Sequence, residues 1–171
     1  MKSKRKKSVV KIKFNRPSWD EYFLSVAEAI AQRGTCDRGR AGTVIVKDNQ
    51  LLAAGYVASP KGFPHCDDVG HQIKKTVHED GTVTQHCVRT VHSEQNAIVQ
   101  AARKGVSIDG STVYTKMTPC RVCTMLLINA GIKRIVCAKK YHAGEESEKM
   151  FKKAKIQVVF KNKEVEKYKK Q

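Results

Sequence analysis

Thr112-Val113-Tyr114-Thr115-Lys116-Met117-Thr118-Pro119-Cys120-Arg121-Val122-Cys123-Thr124-Met125-Leu126-Leu127-Ile128-Asn129-Ala130-Gly131-Ile132-Lys133-Arg134-Ile135-Val136-Cys137-Ala138 changes its periodicity twice. Thr112 to Lys116 reads as a strand, Arg121 to Ala130 as a helix stopped by Gly131, and Lys133 to Ala138 as a second strand. The alternation continues on both sides. His92 to Lys104 is a helix with Ala97, Ile98, Ala101 and Ala102 on its inner face, Glu145 to Ala154 a last helix, and Gln157 to Phe160 a last strand. Nearer the amino end, Ser18-Trp19-Asp20-Glu21 forms a capping box for a helix running to Gly34. Thr43 to Val46 and Leu51 to Ala54 make a hairpin around Asp48-Asn49. A hairpin followed by strands alternating with helices predicts a three-layer α/β/α fold on a mixed five-stranded sheet. The helix at 121–130 is apolar nearly all round, so its outer side is expected to meet a second subunit in a homo-oligomer.

The 171 residues, 40% hydrophobic and 29% charged, suffice for one domain. No apolar run is long enough for a membrane-spanning helix. Lysines interrupt the start of the chain, so it does not read as a secretory signal, and a cytoplasmic location is expected. The formal charge of +17 resides mainly at the ends. Residues 1–16 hold eight Lys or Arg and no acid, and residues 161–171 have a net +3, which leaves +6 for residues 17–160. The organisation expected is a basic disordered arm (1–16), a folded domain (17–160) and a basic tail (161–171). Such ends attract nucleic acid weakly, but with 6% aromatic residues there is no stacking pattern for single-stranded bases. From Tyr56 to Thr90 the chain has little periodicity, and a loop of that length needs something to tie it down.

Six cysteines in such a chain point to metal or catalytic work rather than disulfides. Cys137 lies in an apolar run and reads as a buried thiol. Pro119-Cys120-Arg121-Val122-Cys123 places two thiols on one face of a first helical turn, where the helix end stabilises thiolates. His92-Ser93-Glu94, at another helix start, offers a third ligand. His92, Cys120 and Cys123 are therefore the candidate ligands of a catalytic zinc with a vacant fourth position, and Glu94 is the candidate catalytic acid and base. Each motif alone is weak; together, with a strand between them, they form the signature of zinc-dependent nucleobase deaminases. A non-catalytic zinc module would give Glu94 no role.

Residues 17–160 resemble the cytidine/deoxycytidylate deaminase superfamily, and within it the deoxycytidylate (dCMP) deaminases. Beyond the zinc motifs the resemblance is carried by Ser18-Trp19-Asp20-Glu21-Tyr22-Phe23, Thr35-Cys36, Val44-Ile45-Val46-Lys47-Asp48, His65-Cys66-Asp67-Asp68-Val69-Gly70-His71, Cys87-Val88-Arg89-Thr90-Val91-His92, Gln95-Asn96-Ala97-Ile98 and Asn129-Ala130-Gly131-Ile132-Lys133-Arg134. It implies the deaminase fold, a homo-oligomer, and hydrolysis of dCMP to dUMP and ammonia; the alternative is a cytosine deaminase acting on another cytidine nucleotide or on single-stranded nucleic acid. It also implies substrate contacts at Arg38 and Tyr141. Cys36, Cys66, His71 and Cys87 resemble a branch with a second, structural zinc, with His65, His78 and His86 as other possible sources of the imidazole. One departure stands out: Gly55-Tyr56-Val57-Ala58 replaces the Gly-Tyr-Asn-Gly loop that the family associates with dCTP activation and dTTP inhibition. That departure predicts weak or absent regulation by these triphosphates.

Overall fold

The computed structural model describes residues 14–166. Trp19–Ala31 form α1, and the capping box closes as expected: Glu21 N donates to Ser18 Oγ at 3.3 Å and Ser18 N to a Glu21 carboxylate oxygen at 3.1 Å. Gly42–Lys47 (β1) and Gln50–Tyr56 (β2) are an antiparallel hairpin whose turn residues Asp48 and Asn49 both have positive φ, the geometry that matches the twist of paired strands. Next come a short helix α2 (Cys66–Val69) and a second hairpin, β3 (Ile73–Val77) with β4 (Val83–Cys87). The remaining elements are α3 (Ser93–Arg103), β5 (Thr112–Met117), α4 (Arg121–Asn129), β6 (Arg134–Tyr141), α5 (Glu145–Lys153), β7 (Gln157–Phe160) and β8 (Val165–Glu166).

The main sheet has the order β2-β1-β5-β6-β7, antiparallel from β2 to β5 and parallel from β5 to β7. This is the mixed sheet the periodicity predicts, with one addition. β8 pairs in parallel with the end of β6, Lys140 with Val165 and Tyr141 with Glu166, and makes a sixth strand. Residues 161–166 thus lie along the domain. Of the expected arm at 1–16, residues 14–16 are exposed and without regular structure; residues 1–13 and 167–171 lie outside the described residues.

Helix α1 covers one face of the sheet, where Phe23, Leu24 and Ala27 pack on Val44, Val46, Tyr114 and Val136. The other face carries α3, α4 and α5 through Ala97, Ala101, Leu127 and Phe151, packed with Ile45, Val113 and Ile135. Alternate residues of each strand serve opposite faces, so the three layers follow from the pleat. Two glycines set how close the layers come. A Cβ at Gly42 would collide with the Ala27 carbonyl of α1, and one at Gly55 with the Ser93 carbonyl of α3. Among the described residues no helix is long and apolar enough to cross a membrane.

The segment 56–90 differs from the irregular loop its composition suggests. Every residue of β3 is exposed, so the strand has no buried side to impose an apolar alternation. It is held instead by pairing with β4 and by the turn in which His78 N donates to Thr82 O at 2.8 Å.

Candidate active site

His92 and Cys120 occupy equivalent positions, each with extended backbone immediately before a helix, α3 and α4 respectively. Strand β5 lies between the two helices in sequence and delivers the chain through Pro119 to Cys120. His92 Nδ1 is 3.4 Å from Cys120 Sγ and 3.5 Å from Cys123 Sγ. The three ligand atoms lie within 4.8 Å of one another. Hydrogen bonding from Cys123, then His92, draws the Cys120 thiol down to about 4, and the Cys120 partner in turn holds His92 up to about 9. The protons of such a pair are those a divalent cation displaces. Two thiolates and one imidazole are the donor set of a borderline-soft ion, and three protein donors are the number a catalytic zinc uses.

Glu94 sits on the first turn of α3 and is 7% exposed. Burial pushes its carboxyl above the ordinary carboxylate range, opposed by the charge of His92. It lines a pocket together with His92, Cys120, Arg38, His86 and Tyr141. Arg38 donates to the Gln85 carbonyl of β4 at 3.1 Å. Tyr141 is set by its own backbone N–H, which donates to Thr118 Oγ1 at 3.2 Å. The two expected substrate contacts therefore stand in the same pocket as Glu94. Val57, 8% exposed, forms part of its apolar wall.

The structure also gathers Cys36, Cys66, His71 and Cys87, with all four ligand atoms within 4.8 Å. Cys36 Sγ is 3.7 Å from His71 Nδ1 and Cys66 Sγ 3.6 Å from Cys87 Sγ. The other three histidines of the segment are placed elsewhere. His65 precedes α2, His78 contacts Thr84 Oγ1 at 2.9 Å in the hairpin turn, and His86 faces the Glu94 pocket. The remaining nitrogen of His71, Nε2, lies 3.0 Å from an Asp37 carboxylate oxygen, the support a ligating imidazole commonly has. Burial pushes the Cys66 thiol up to about 12, so a metal ion binding there must displace a proton. Cys36 and Cys87 line the Glu94 pocket as well, so the two clusters share a wall. Among the described residues these are the two groups able to hold an ion. The residues missed from sequence are Asp37, Thr118 and a set of buried hydroxyls beside Glu94; short polar side chains inside strands and loops leave no periodic trace.

A mixed sheet between helical layers, with His-x-Glu and Cys-x-x-Cys at two helix starts, defines the class of zinc-dependent deaminases. The profile of the family "Cytidine and deoxycytidylate deaminase zinc-binding region" matches residues 17–139, and the chain belongs to this family of zinc-dependent hydrolytic enzymes. It is 36% identical over 143 residues to ComE operon protein 2 of Bacillus subtilis, covering 84% of this chain and 71% of that protein. It is also 36% identical over 129 residues to the deoxycytidylate deaminase of Mycobacterium phage D29, covering 74% and 98%. The fold matches the crystal structure of the dCMP deaminase of cyanophage S-TIM5 in complex with dCMP and dUMP, with a TM-score of 0.68, 26% identity, and coverage of 86% and 99%.

Proposed function

We propose that this protein deaminates dCMP to dUMP and ammonia, with zinc held by His92, Cys120 and Cys123. The observation that carries this is the buried Glu94 carboxyl beside the three-donor cluster. Zinc, when bound, supplies the Lewis acidity that makes water a competent nucleophile at neutral pH. Glu94 takes one proton of the attacking water and gives it to the ring nitrogen as C4 is attacked. It then takes the proton of the new C4 hydroxyl and gives it to the amino group, so that the C4–N bond breaks, ammonia leaves and the C4 carbonyl forms. A carboxyl raised by burial suits a group that must be base and then acid. Arg38 and Tyr141 are assigned to the sugar and phosphate.

A second zinc, at Cys36, Cys66, His71 and Cys87, is structural in this reading, since three thiolates and an imidazole close a tetrahedral site. The two ions would leave Cys137 as the one thiol of the chain without a metal role. Free cysteines throughout fit a reducing, cytoplasmic setting. Val99, Val122 and Leu126 stand exposed on α3 and α4, an apolar face suited to a second copy of the chain.

The test is ammonia release from a panel of dCMP, CMP, dCTP and a cytosine-containing single strand, using zinc-replete protein. Turnover of dCMP is expected, and activity on the oligonucleotide alone would replace this reading with nucleic-acid editing. Glu94→Gln is expected to keep its zinc and lose about 10²–10⁴-fold in kcat; a zinc-loaded variant with wild-type turnover refutes the proton shuttle.

A further inference from the structure

Behind Glu94 lie three side-chain hydroxyls. Thr43 on β1 and Ser93 on α3 are fully buried, as is Thr115 on β5 at 1% exposure. Thr43 and Thr115 face each other across paired strands. Thr43 Oγ1 is 2.9 Å from Ser93 Oγ and 3.1 Å from Thr115 Oγ1, and Ser93 Oγ is 3.1 Å from a Glu94 carboxylate oxygen. The result is an unbroken row, Thr115–Thr43–Ser93–Glu94, between the sheet and the catalytic carboxyl.

A hydroxyl has one proton and two lone pairs, so it donates one bond, accepts others, and can exchange those roles. When Glu94 is ionised, Ser93 donates to it and Thr43 donates to Ser93. When Glu94 is protonated, it donates to Ser93, Ser93 to Thr43, and Thr43 to Thr115. The two links nearest Glu94 survive the reversal, and Thr115 accepts the Thr43 proton in the second state. A backbone N–H could serve only the first state and a carbonyl only the second.

We propose that Ser93, Thr43 and Thr115 are positioning residues that hold the Glu94 carboxyl in one orientation through both of its protonation states. The carboxyl then need not rotate between taking a proton and returning it. The inference rests on the deaminase reading, in which Glu94 is alternately base and acid.

A double-mutant cycle on the zinc-loaded full chain tests it, with dCMP kinetics and urea unfolding as separate readouts. Ser93→Ala is expected to lower kcat about tenfold, with KM within about twofold and zinc content unchanged. Thr43→Val should cost about threefold, and the double variant should be no slower than Ser93→Ala, because the row is already broken. Thr43→Ser should recover most of the Thr43→Val loss. Single variants at wild-type kcat, losses that multiply in the double variant, or a Thr43→Ser no faster than Thr43→Val would each overturn the proposal. The unfolding cycle should show coupling between Ser93 and Thr43, and additive unfolding changes would remove the row whatever the activity. A wild-type protein that leaves dCMP unchanged sinks the deaminase reading instead, and the unfolding cycle still decides the row.

Discussion

Asp20 accepts two hydrogen bonds from the Arg134 guanidinium, both at 2.7 Å, and one from Tyr114 Oη at 3.1 Å. The Arg134 hydrogen bonds hold its carboxyl below the ordinary range, against partial burial. A depressed carboxyl stabilises the fold above its unfolded pKa, about 3.9, and loses that contribution as pH falls through the lower folded value. Asp20→Asn should therefore unfold more easily than wild type at neutral pH, with the gap closing below about pH 4. Denaturant unfolding across pH 2.5–7 measures it, and a gap that stays constant on acidification would discard the linkage. Glu94 shows the opposite treatment of the same chemical group: burial raises its carboxyl, against the opposing charge of His92. Sequence spacing was enough to nominate Glu94, because its two-residue offset from His92 is a local property. It was not enough to see that Asp20, 114 positions from Arg134, anchors α1 to β6.

At the level of elements, the strand and helix starts that carry the candidate metal ligands were legible, because their signals are local: Pro119 before α4, Gly131 after it, and the capping box of α1. The β3–β4 hairpin was not, since it has no buried face. His71, just before β3, and Cys87, the last residue of β4, tie it to the candidate ligand cluster. Zinc-replete protein should contain two ions per chain, and Cys66→Ser one, with faster proteolysis confined to residues 56–90; equal metal content in both proteins would remove the structural ion. The loop after β2 is held by different means. Val57 N donates to the Ala41 carbonyl and Val57 O accepts from Thr35 N, while Ala58 exchanges both of its backbone bonds with Val91. The backbone is thus fully engaged, and Val57 packs among Cys36, Ala41 and Cys66. A triphosphate would find neither a side-chain amide nor an uncommitted N–H there. Saturation by dCMP should accordingly be the same with and without dCTP or dTTP and magnesium. A sigmoidal curve made hyperbolic by micromolar dCTP would place an effector on the loop.

Across the whole molecule, the boundary drawn from charge at residue 160 is not where the chain leaves the sheet. Lys140 N donates to Glu164 O at 2.8 Å and His142 N to Glu166 O at 3.3 Å, while Lys116 and Lys139 pair with Glu166 and Glu164 at 2.8 and 2.9 Å. The charged run Lys161-Asn162-Lys163-Glu164-Val165-Glu166 resembles a solvated tail in composition, which is why only the structure reveals its pairing. These contacts clamp the end of β6, where Tyr141 enters the pocket. A chain ending at Glu166 should keep the kinetics of the full chain, whereas one ending at Asn162 should raise KM for dCMP about three- to tenfold, the scale of a loosened polar contact; equal KM values would separate β8 from substrate binding. The four-residue cluster has a consequence of another kind. A bound ion also acts as a protecting group for sulfur. Without it, the Cys66 and Cys87 sulfurs, 3.6 Å apart, are expected to join as a disulfide in air, with oxygen as the oxidant. The oxidised pair no longer offers two thiolates, so zinc added alone should not refill the cluster. Chelation followed by exposure to oxygen should then be a one-way step, with a dithiol reductant needed before zinc can bind the cluster again; zinc rebinding without reductant would show that the pair stays reduced.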